Sequence, residues 1–173
     1  MIRHRPPSSR SDGFTLIEVL VALVIMAIGL LALVAIQLVT LRNNSGSYLR
    51  SQAAVAVGDL VDRMRVNQTV ANTTTNYVHA TPDAAPPNGP NCDAGTCDEN
   101  QIAAYDLNQW WTSTFAILPG MGATVTCTPN PCTGNSVYTI TVMWDDGRTG
   151  ATGTACGPDP NVDRLCYRVS FDP

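Results

Sequence analysis

Gly13-Phe14-Thr15-Leu16-Ile17-Glu18-Val19-Leu20 opens an apolar run that continues to Leu41. Between Val19 and Ile36 no residue is charged or strongly polar. As a helix, residues 14–41 would be roughly 42 Å long at about 1.5 Å per residue, whereas the hydrocarbon core of a bilayer is about 30 Å thick. The run therefore predicts one membrane-spanning helix, to which the rest of the chain is attached.

A short basic segment, residues 1–13, precedes the apolar run. It contains Arg3, Arg5 and Arg10 against Asp12, a net of +2, so the remainder of a chain whose total is −4 carries −6. Basic residues beside a membrane helix stay in the cytoplasm, which predicts that everything beyond Leu41 is exported. An ordinary secretory signal has a shorter apolar core followed by an Ala-x-Ala cleavage site, and this sequence has neither.

The residues from Gly13 to Ile25 resemble the class III signal of type IV prepilins and pseudopilins. The resemblance implies that a membrane aspartyl protease, the prepilin peptidase, cuts between Gly13 and Phe14 and methylates the new amino terminus at Phe14. It also implies that the apolar helix stays in the mature protein, because the cut lies in front of it. The processed chain would cross the bacterial inner membrane once, with its C-terminal domain in the periplasm, before entering a pilus at the cell surface.

A single carboxylate, Glu18, lies inside the N-terminal end of the apolar run. An ionised side chain among lipid chains costs a few kcal/mol unless it pairs or reaches the headgroups. Cleavage after Gly13 would create an ammonium group at Phe14, able to neutralise Glu18 in the same chain or in a neighbouring subunit. Pairing between subunits would set their axial register during assembly, because a misplaced subunit leaves a charge unpaired. The alternative is that Glu18 lies near the headgroups without a role.

Beyond Leu41 the helix is predicted to continue over residues 42–66 with one apolar face. Its apolar residues recur at steps of three and four, and they are Leu49, Ala53, Val57, Leu60, Val61 and Met64. Such a stripe needs a sheet or other helices to cover it. Residues 43–47, Asn-Asn-Ser-Gly-Ser, form a weak point at which we expect the helix to bend or fray.

The C-terminal part, residues 67–173, begins with a change of composition. Residues 67–91 are rich in Asn, Thr, Pro, Ala and Gly and have no apolar period, which predicts a long exposed loop. His79 lies in this loop. We assign it no role, because a lone loop histidine is generally solvated.

A second helix and three strands are predicted in the remainder. Asp98 is expected to cap the helix and Gln101 to complete a capping box, and Leu118-Pro119-Gly120 is expected to end it. The strands are predicted over residues 124–128, 137–145 and 165–171. The predicted fold class is α+β and pilin-like: a long N-terminal helix, half membrane-embedded and half amphipathic, packed on a small antiparallel sheet.

Six cysteines lie beyond the apolar run: Cys92, Cys97, Cys127, Cys132, Cys156 and Cys166. An even number on the exported side indicates an oxidising compartment and disulfides. Among the many possible pairings, the local ones, 92–97, 127–132 and 156–166, are the simplest. A zinc site is a weak alternative, because the spacings are not Cys-x-x-Cys and no histidine lies nearby.

The sequence contains no recognisable catalytic arrangement. His4 and His79 are its histidines, and His4 would leave with the leader, so histidine-based acid–base catalysis is not expected. Asp145-Asp146-Gly147 lacks the spaced oxygen ligands of a calcium loop and predicts a turn. The acidic exported part argues against a nucleic-acid partner. We therefore expect no enzyme activity, no cofactor and no metal.

The order of four further segments resembles the PilV-type minor pilins, the type IV pilus modification proteins. The segments are Asp62–Asn67, Ala104–Trp110, Leu118–Gly120, and Tyr138–Val142 leading to Trp144. The resemblance implies a subunit that joins other minor pilins and the major pilin, helps to start pilus assembly, and supports adhesion and twitching motility. Two alternatives stay open: a minor pseudopilin of type II secretion, and a membrane-tethered binding or enzymatic domain that never polymerises.

Overall fold

The computed structural model describes Gly13 and residues 15–173. In that part of the chain the helices are α1 (Leu16–Val66), α2 (Gln68–Thr73) and α3 (Glu99–Phe115), and the strands are β1 (Gly122–Thr128), β2 (Val137–Trp144) and β3 (Leu165–Phe171). The chain divides into two compact units, the first ending at Asn44 and the second running from Ser45 to Pro173. The predicted methylation site, Phe14, and the leader up to Asp12 lie outside the described residues.

The first unit is helical from Leu16 onward, and every side chain from Thr15 to Asn44 is exposed. A window of 18 residues in α1 has a mean hydropathy of 3.2, and none of it is buried. By length and composition this helix is able to cross a membrane. Residues 43–47, where fraying was expected, are helical, because helix propensity is a weak effect that neighbouring turns override.

The second unit contains an antiparallel sheet with the strand order β1-β2-β3. In its centre Ile140 lies between Val125 on β1 and Val169 on β3. β2 has a neighbour on both sides and is buried along most of its length. β1 begins at Gly122, two residues before the predicted start, and β3 has the predicted bounds. The predicted α+β, pilin-like fold class is confirmed.

In the second unit the apolar stripe of α1 packs with α3 and the sheet in one core. Its larger members are Leu49, Val57, Leu60, Met64, Leu107, Trp110, Trp111, Val125, Tyr138, Ile140, Val142 and Trp144. Burying a side chain of this size contributes about 1.5–3 kcal/mol. Trp110 Nε1 donates a hydrogen bond to the Ala56 carbonyl oxygen at 2.7 Å, so the polar atom of this buried indole is satisfied.

The start of α3 confirms the predicted capping box. The Asp98 carboxylate accepts a hydrogen bond from the Gln101 backbone N–H at 2.8 Å, and the Gln101 side chain accepts one from the Asp98 N–H at 3.0 Å. Both groups would otherwise be unpaired at a helix N-terminus. α3 ends at Phe115, ahead of Leu118-Pro119-Gly120. It runs antiparallel to α1, because its start contacts Asn67 and its later turn contacts Ala56.

The prediction of an exposed loop over residues 67–91 is wrong in its first half. This segment contains α2, and Val70, Ala71, Tyr77 and His79 are buried. His79 exchanges two backbone hydrogen bonds with Val125, each of 2.8 Å. The segment therefore covers part of the free edge of β1, whose unpaired backbone groups need partners. His79 is not solvated, and composition alone did not indicate this contact.

Candidate functional site

Glu18 lies in the first turn of α1. Its backbone N–H donates to the Thr15 carbonyl oxygen at 3.1 Å, and the Val19 N–H donates to the same oxygen at 3.3 Å. The Glu18 side chain is exposed, and the ion pairs found among the described residues do not include it. A carboxylate in a first turn interacts favourably with the helix dipole, and this one is open to a cation.

Gly13 precedes α1 and is exposed. A Cβ atom placed on it would meet no atom of the described residues within 4 Å. An exposed, uncrowded backbone in front of a helix is accessible to a protease. Gly13 and Glu18, the two ends of the predicted motif, are thus both exposed.

Large apolar side chains are exposed along the whole of the first unit. Those at least half exposed include Leu16, Ile17, Leu20, Val21, Leu23, Val24, Ile25, Met26, Ile28, Leu30, Leu31, Leu33, Val34, Ile36, Leu38, Val39 and Leu41. A contiguous apolar surface of this extent is rare on soluble monomers. A helix that is apolar on all sides belongs in a bilayer or among other helices.

The second unit contains three disulfides: Cys92–Cys97, Cys127–Cys132 and Cys156–Cys166. They are the three local pairs favoured above from the spacing. The first closes the loop before α3, the second closes the loop after β1, and the third attaches the loop before β3 to that strand. Cys127 and Cys132 are buried, whereas the other four are partly exposed. The disulfides therefore constrain connections, and one of them also contributes to the core.

A polar network that the sequence did not reveal joins α1 to α3. Asp106 accepts from Arg63 Nη1 at 3.0 Å and from the Tyr77 hydroxyl at 3.2 Å. Asn67 Nδ2 donates to the Tyr77 hydroxyl oxygen at 3.3 Å and to the Glu99 carbonyl oxygen at 2.7 Å. Burial raises the pKa of Tyr77 above its ordinary value, although the hydrogen bond from Asn67 opposes the effect. The network fixes the second half of α1 on the domain.

Asp145 organises the turn after β2. Its carboxylate accepts hydrogen bonds from the backbone N–H of Gly150 at 2.7 Å and of Thr149 at 3.1 Å. Burial raises the pKa of this carboxyl group, but the hydrogen bonds from Gly150 and Thr149 outweigh burial and hold the pKa below its ordinary value. The predicted turn is confirmed, and its first residue, Asp145, accepts the hydrogen bonds that stabilise it.

His79 packs against Trp111 with their ring centroids 5.1 Å apart. Its Nε2 atom is buried without a hydrogen-bond partner among the described residues. Burial lowers the pKa of His79, although hydrogen bonds to the backbone of Ala84 and Thr81 oppose the shift. The ring is therefore neutral at pH 7 and belongs to the packing of the domain.

The described residues contain no group of three His, Cys, Asp or Glu side chains placed to hold a metal ion. The predicted site residues that the structure describes are the exposed Gly13 and the exposed carboxylate of Glu18, at the start of the exposed apolar helix.

Two known families match parts of the chain, and the first match contains Gly13 and Glu18. Residues 8–34 match the prokaryotic N-terminal methylation motif, and residues 35–108 match the family described as type IV pilin Tt1218. No curated protein and no solved structure matches the chain. The chain carries the type IV pilin N-methylation motif and a type IV pilin domain, which support a pilin role.

Proposed function

We propose that this chain, with its N-methylation motif and type IV pilin domain, is a minor pilin of the PilV type. In this proposal prepilin peptidase cleaves between Gly13 and Phe14 and methylates Phe14. The mature chain then waits in the inner membrane with its C-terminal domain in the periplasm. It enters a pilus with other minor pilins and the major pilin, helps to start assembly, and contributes to adhesion and twitching motility. Its role is structural rather than enzymatic.

One observation carries the proposal: the helix from Leu16 to Leu41 exposes apolar side chains on all sides, with one carboxylate in its first turn. Water is a poor environment for such a surface. A bilayer covers the apolar side chains but penalises Glu18. A bundle of like helices covers them and also supplies a cation for Glu18, because each mature neighbour begins with an ammonium group.

The pairing of Glu18 with Phe14 of a neighbouring chain would give the bundle a register. In an apolar bundle, breaking a buried ion pair by removing one partner costs about 3–5 kcal/mol. A subunit displaced along the axis would leave both charges unpaired. The correct register is therefore more stable than the registers shifted up or down the axis. We place the role of Glu18 in assembly and not in membrane insertion.

Mass spectrometry of the mature N-terminus tests the processing step. The proposal expects a chain that begins with N-methyl-phenylalanine at Phe14. Recovery of the working protein with residues 1–13 still attached would contradict it.

Substitution of Glu18 separates assembly from simple tethering. Glu18→Ala is expected to abolish incorporation into pili while membrane insertion stays intact, because the helix becomes more apolar. Gln37→Ala, which removes a polar side chain elsewhere in the same exposed helix, is the control and is expected to leave incorporation unchanged. Full incorporation of Glu18→Ala would favour a tethered domain that does not polymerise.

Purification of the assembled chain with its neighbours separates a pilus subunit from a pseudopilin. The proposal expects minor pilins and the major pilin among the crosslinked partners. Recovery of pseudopilins of a type II secretion system in their place would assign the chain to that machinery, since both systems share the signal and the helix.

A further inference from the structure

The second unit exposes two large apolar side chains at the C-terminal end of α3. Phe115 is 58% exposed and Ile117 is 48% exposed. Both lie close to Pro119, whose carbonyl oxygen accepts a hydrogen bond from the Asp145 N–H at 2.8 Å. Isolated apolar residues on a surface need no explanation, but two of them lie in the short segment 115–117, which we call the patch, and the place of that segment in the fold is informative.

That patch lies at the end of the second unit where the unit's own chain begins. A Cβ atom on Gly46 would be 3.2 Å from the Asp146 carboxylate, and Asp146 follows Asp145, the neighbour of Pro119. We call this the proximal end and define it as residues 46–50, 115–120 and 145–148. It also contains Tyr48, another exposed aromatic side chain.

The opposite end of the same unit is marked by Val137, where β2 begins. Val137 is separated from Trp144 by the length of the strand, about 23 Å at roughly 3.3 Å per residue. It is 45% exposed, similar to Ile117. The unit thus offers an apolar side chain of comparable exposure far from the proximal end.

The chain itself limits how far the proximal end can be from the apolar run. Leu41 ends the run and Ser45 opens the second unit. Four peptide steps span at most about 14 Å even when fully extended. If residues 14–41 cross a bilayer, Ser45 therefore lies within about 14 Å of the end of the run, and the chain enters the second unit on the membrane side.

The distribution of charge also favours the proximal end as the surface that faces the membrane. From residue 45 onward the chain has a net charge of −6. Within the proximal end, as defined above, Arg50 and Arg148 balance Asp145 and Asp146. In a leaflet that contains anionic lipid, the headgroups repel an acidic surface more than a neutral one that carries arginine. Tyrosine and other amphipathic aromatic residues are also enriched at this depth.

We propose that the proximal end docks on the outer surface of the bilayer before assembly, with Phe115 and Ile117 inserted among the headgroups and Arg50 and Arg148 on lipid phosphates. The proposal rests on the proposed function, since it requires residues 14–41 to span the membrane. Docking would orient the second unit on the bilayer, and its contacts with lipid would be lost when the helix leaves the membrane.

Two tryptophan variants of the full chain test this docking. Phe115→Trp places the probe in the patch, and Val137→Trp is the matched control at the opposite end. Both are reconstituted in vesicles of phosphatidylcholine and phosphatidylglycerol whose acyl chains are brominated near the headgroup. The three native tryptophans give a shared background, because Trp110, Trp111 and Trp144 are buried.

The added emission of Phe115→Trp is expected to be quenched at least about twofold more than that of Val137→Trp, as for an aromatic ring in the interfacial layer. Equal quenching of the two probes overturns the docking. Emission of Phe115→Trp that shifts with protein concentration and not with bromination overturns it in favour of a second copy of the chain.

Protease protection of the same vesicles separates this inference from the proposed function. If residues 14–41 span the bilayer and the two probes are quenched equally, only the docking is wrong. If the helix does not span the bilayer, the proposed membrane stage is wrong and the docking falls with it. Adding Arg148→Glu to Phe115→Trp is expected to reduce the quenching in vesicles that contain phosphatidylglycerol.

Discussion

Asp106 on α3 lies 3.0 Å from the guanidinium of Arg63 on α1, joining the two long helices of the second unit. The side chain of Asp106 is 14% exposed and that of Arg63 is 34% exposed. The other carboxylate oxygen of Asp106 accepts from the Tyr77 hydroxyl, so one residue holds α1, α3 and the segment after α2 together. The pair lies away from the exposed apolar half of α1, and its loss should affect the domain alone.

Asp106→Ala is therefore expected to lower the free energy of unfolding of the second unit by about 1–3 kcal/mol, because the partly buried Tyr77 hydroxyl and Arg63 both lose an acceptor. Tryptophan fluorescence of the full chain in detergent, followed during urea unfolding, would measure the loss. Asp62→Ala is the control, since Asp62 pairs with Arg65 at 3.8 Å on the exposed surface. An exposed pair contributes at most about 1 kcal/mol. Equal losses in the two variants would contradict the role of Asp106.

His79 makes the stability of the domain depend on pH near neutrality. Burial lowers its folded-state pKa, so between that value and the unfolded value of about 6.5 the unfolded chain binds more protons. Stability therefore falls as the pH drops through 6.5 and levels off below the folded-state pKa. The free energy of unfolding, measured at several pH values from 5 to 8, should show this slope.

The substitution His79→Phe retains an aromatic ring packed against Trp111 and removes the imidazole that titrates. Its free energy of unfolding is expected to change less over the same pH range than that of the original chain. An unchanged slope in this variant would mean that other groups cause the dependence.

Two disulfides with the same loop length differ in burial, which separates packing from chain entropy. Cys92–Cys97 and Cys127–Cys132 each have a sequence separation of 5, so their loop-closure terms are alike. Replacing Cys127 and Cys132 by Ala is expected to cost about 1–2 kcal/mol more than replacing Cys92 and Cys97, because it also removes buried contacts. Urea unfolding of both double variants would measure the difference. Equal losses would show that burial adds nothing to this disulfide.

Asp145→Asn should destabilise the turn after β2 by about 1–3 kcal/mol at neutral pH, because a charged acceptor of two backbone hydrogen bonds becomes neutral. The folded-state pKa of Asp145 lies below its ordinary value. Its contribution is therefore present above the unfolded pKa and is lost as the pH falls through the folded one. Hydrogen exchange of the Gly150 amide would follow the turn directly. Asp172→Asn, at an exposed position near the C-terminus, is the control and should leave that amide unchanged.

Elements governed by local patterns were predictable from the residues. The apolar stripe of α1 from Leu49 to Met64, the capping box at Asp98 and the bounds of β3 all appear in the structure as predicted. Each depends on residues a few positions apart, where helix and strand periods act directly. The short spacing of the cysteines similarly favoured local loops, and local loops are what the structure contains.

Contacts between distant segments were not predictable in this way. Residues 67–91 have the composition of a loop, yet His79 pairs with Val125 at the edge of β1. Asp106 looks like any polar residue of an amphipathic helix, yet Arg63 and Tyr77 meet at its carboxylate. No spacing rule joins positions so far apart in the chain, because their proximity follows from how the helices and the sheet pack.

The motif from Gly13 to Glu18, the unbroken apolar helix and the α+β class were therefore readable from the residues alone, because hydrophobic burial and helix geometry act over short distances. The pairing of His79 with the free edge of β1, the carboxylate shared by Arg63 and Tyr77, and the close approach of Gly46 to Asp146 arise only when the chain is folded. They depend on which surfaces of the helices and the sheet pack together, and sequence patterns do not specify this.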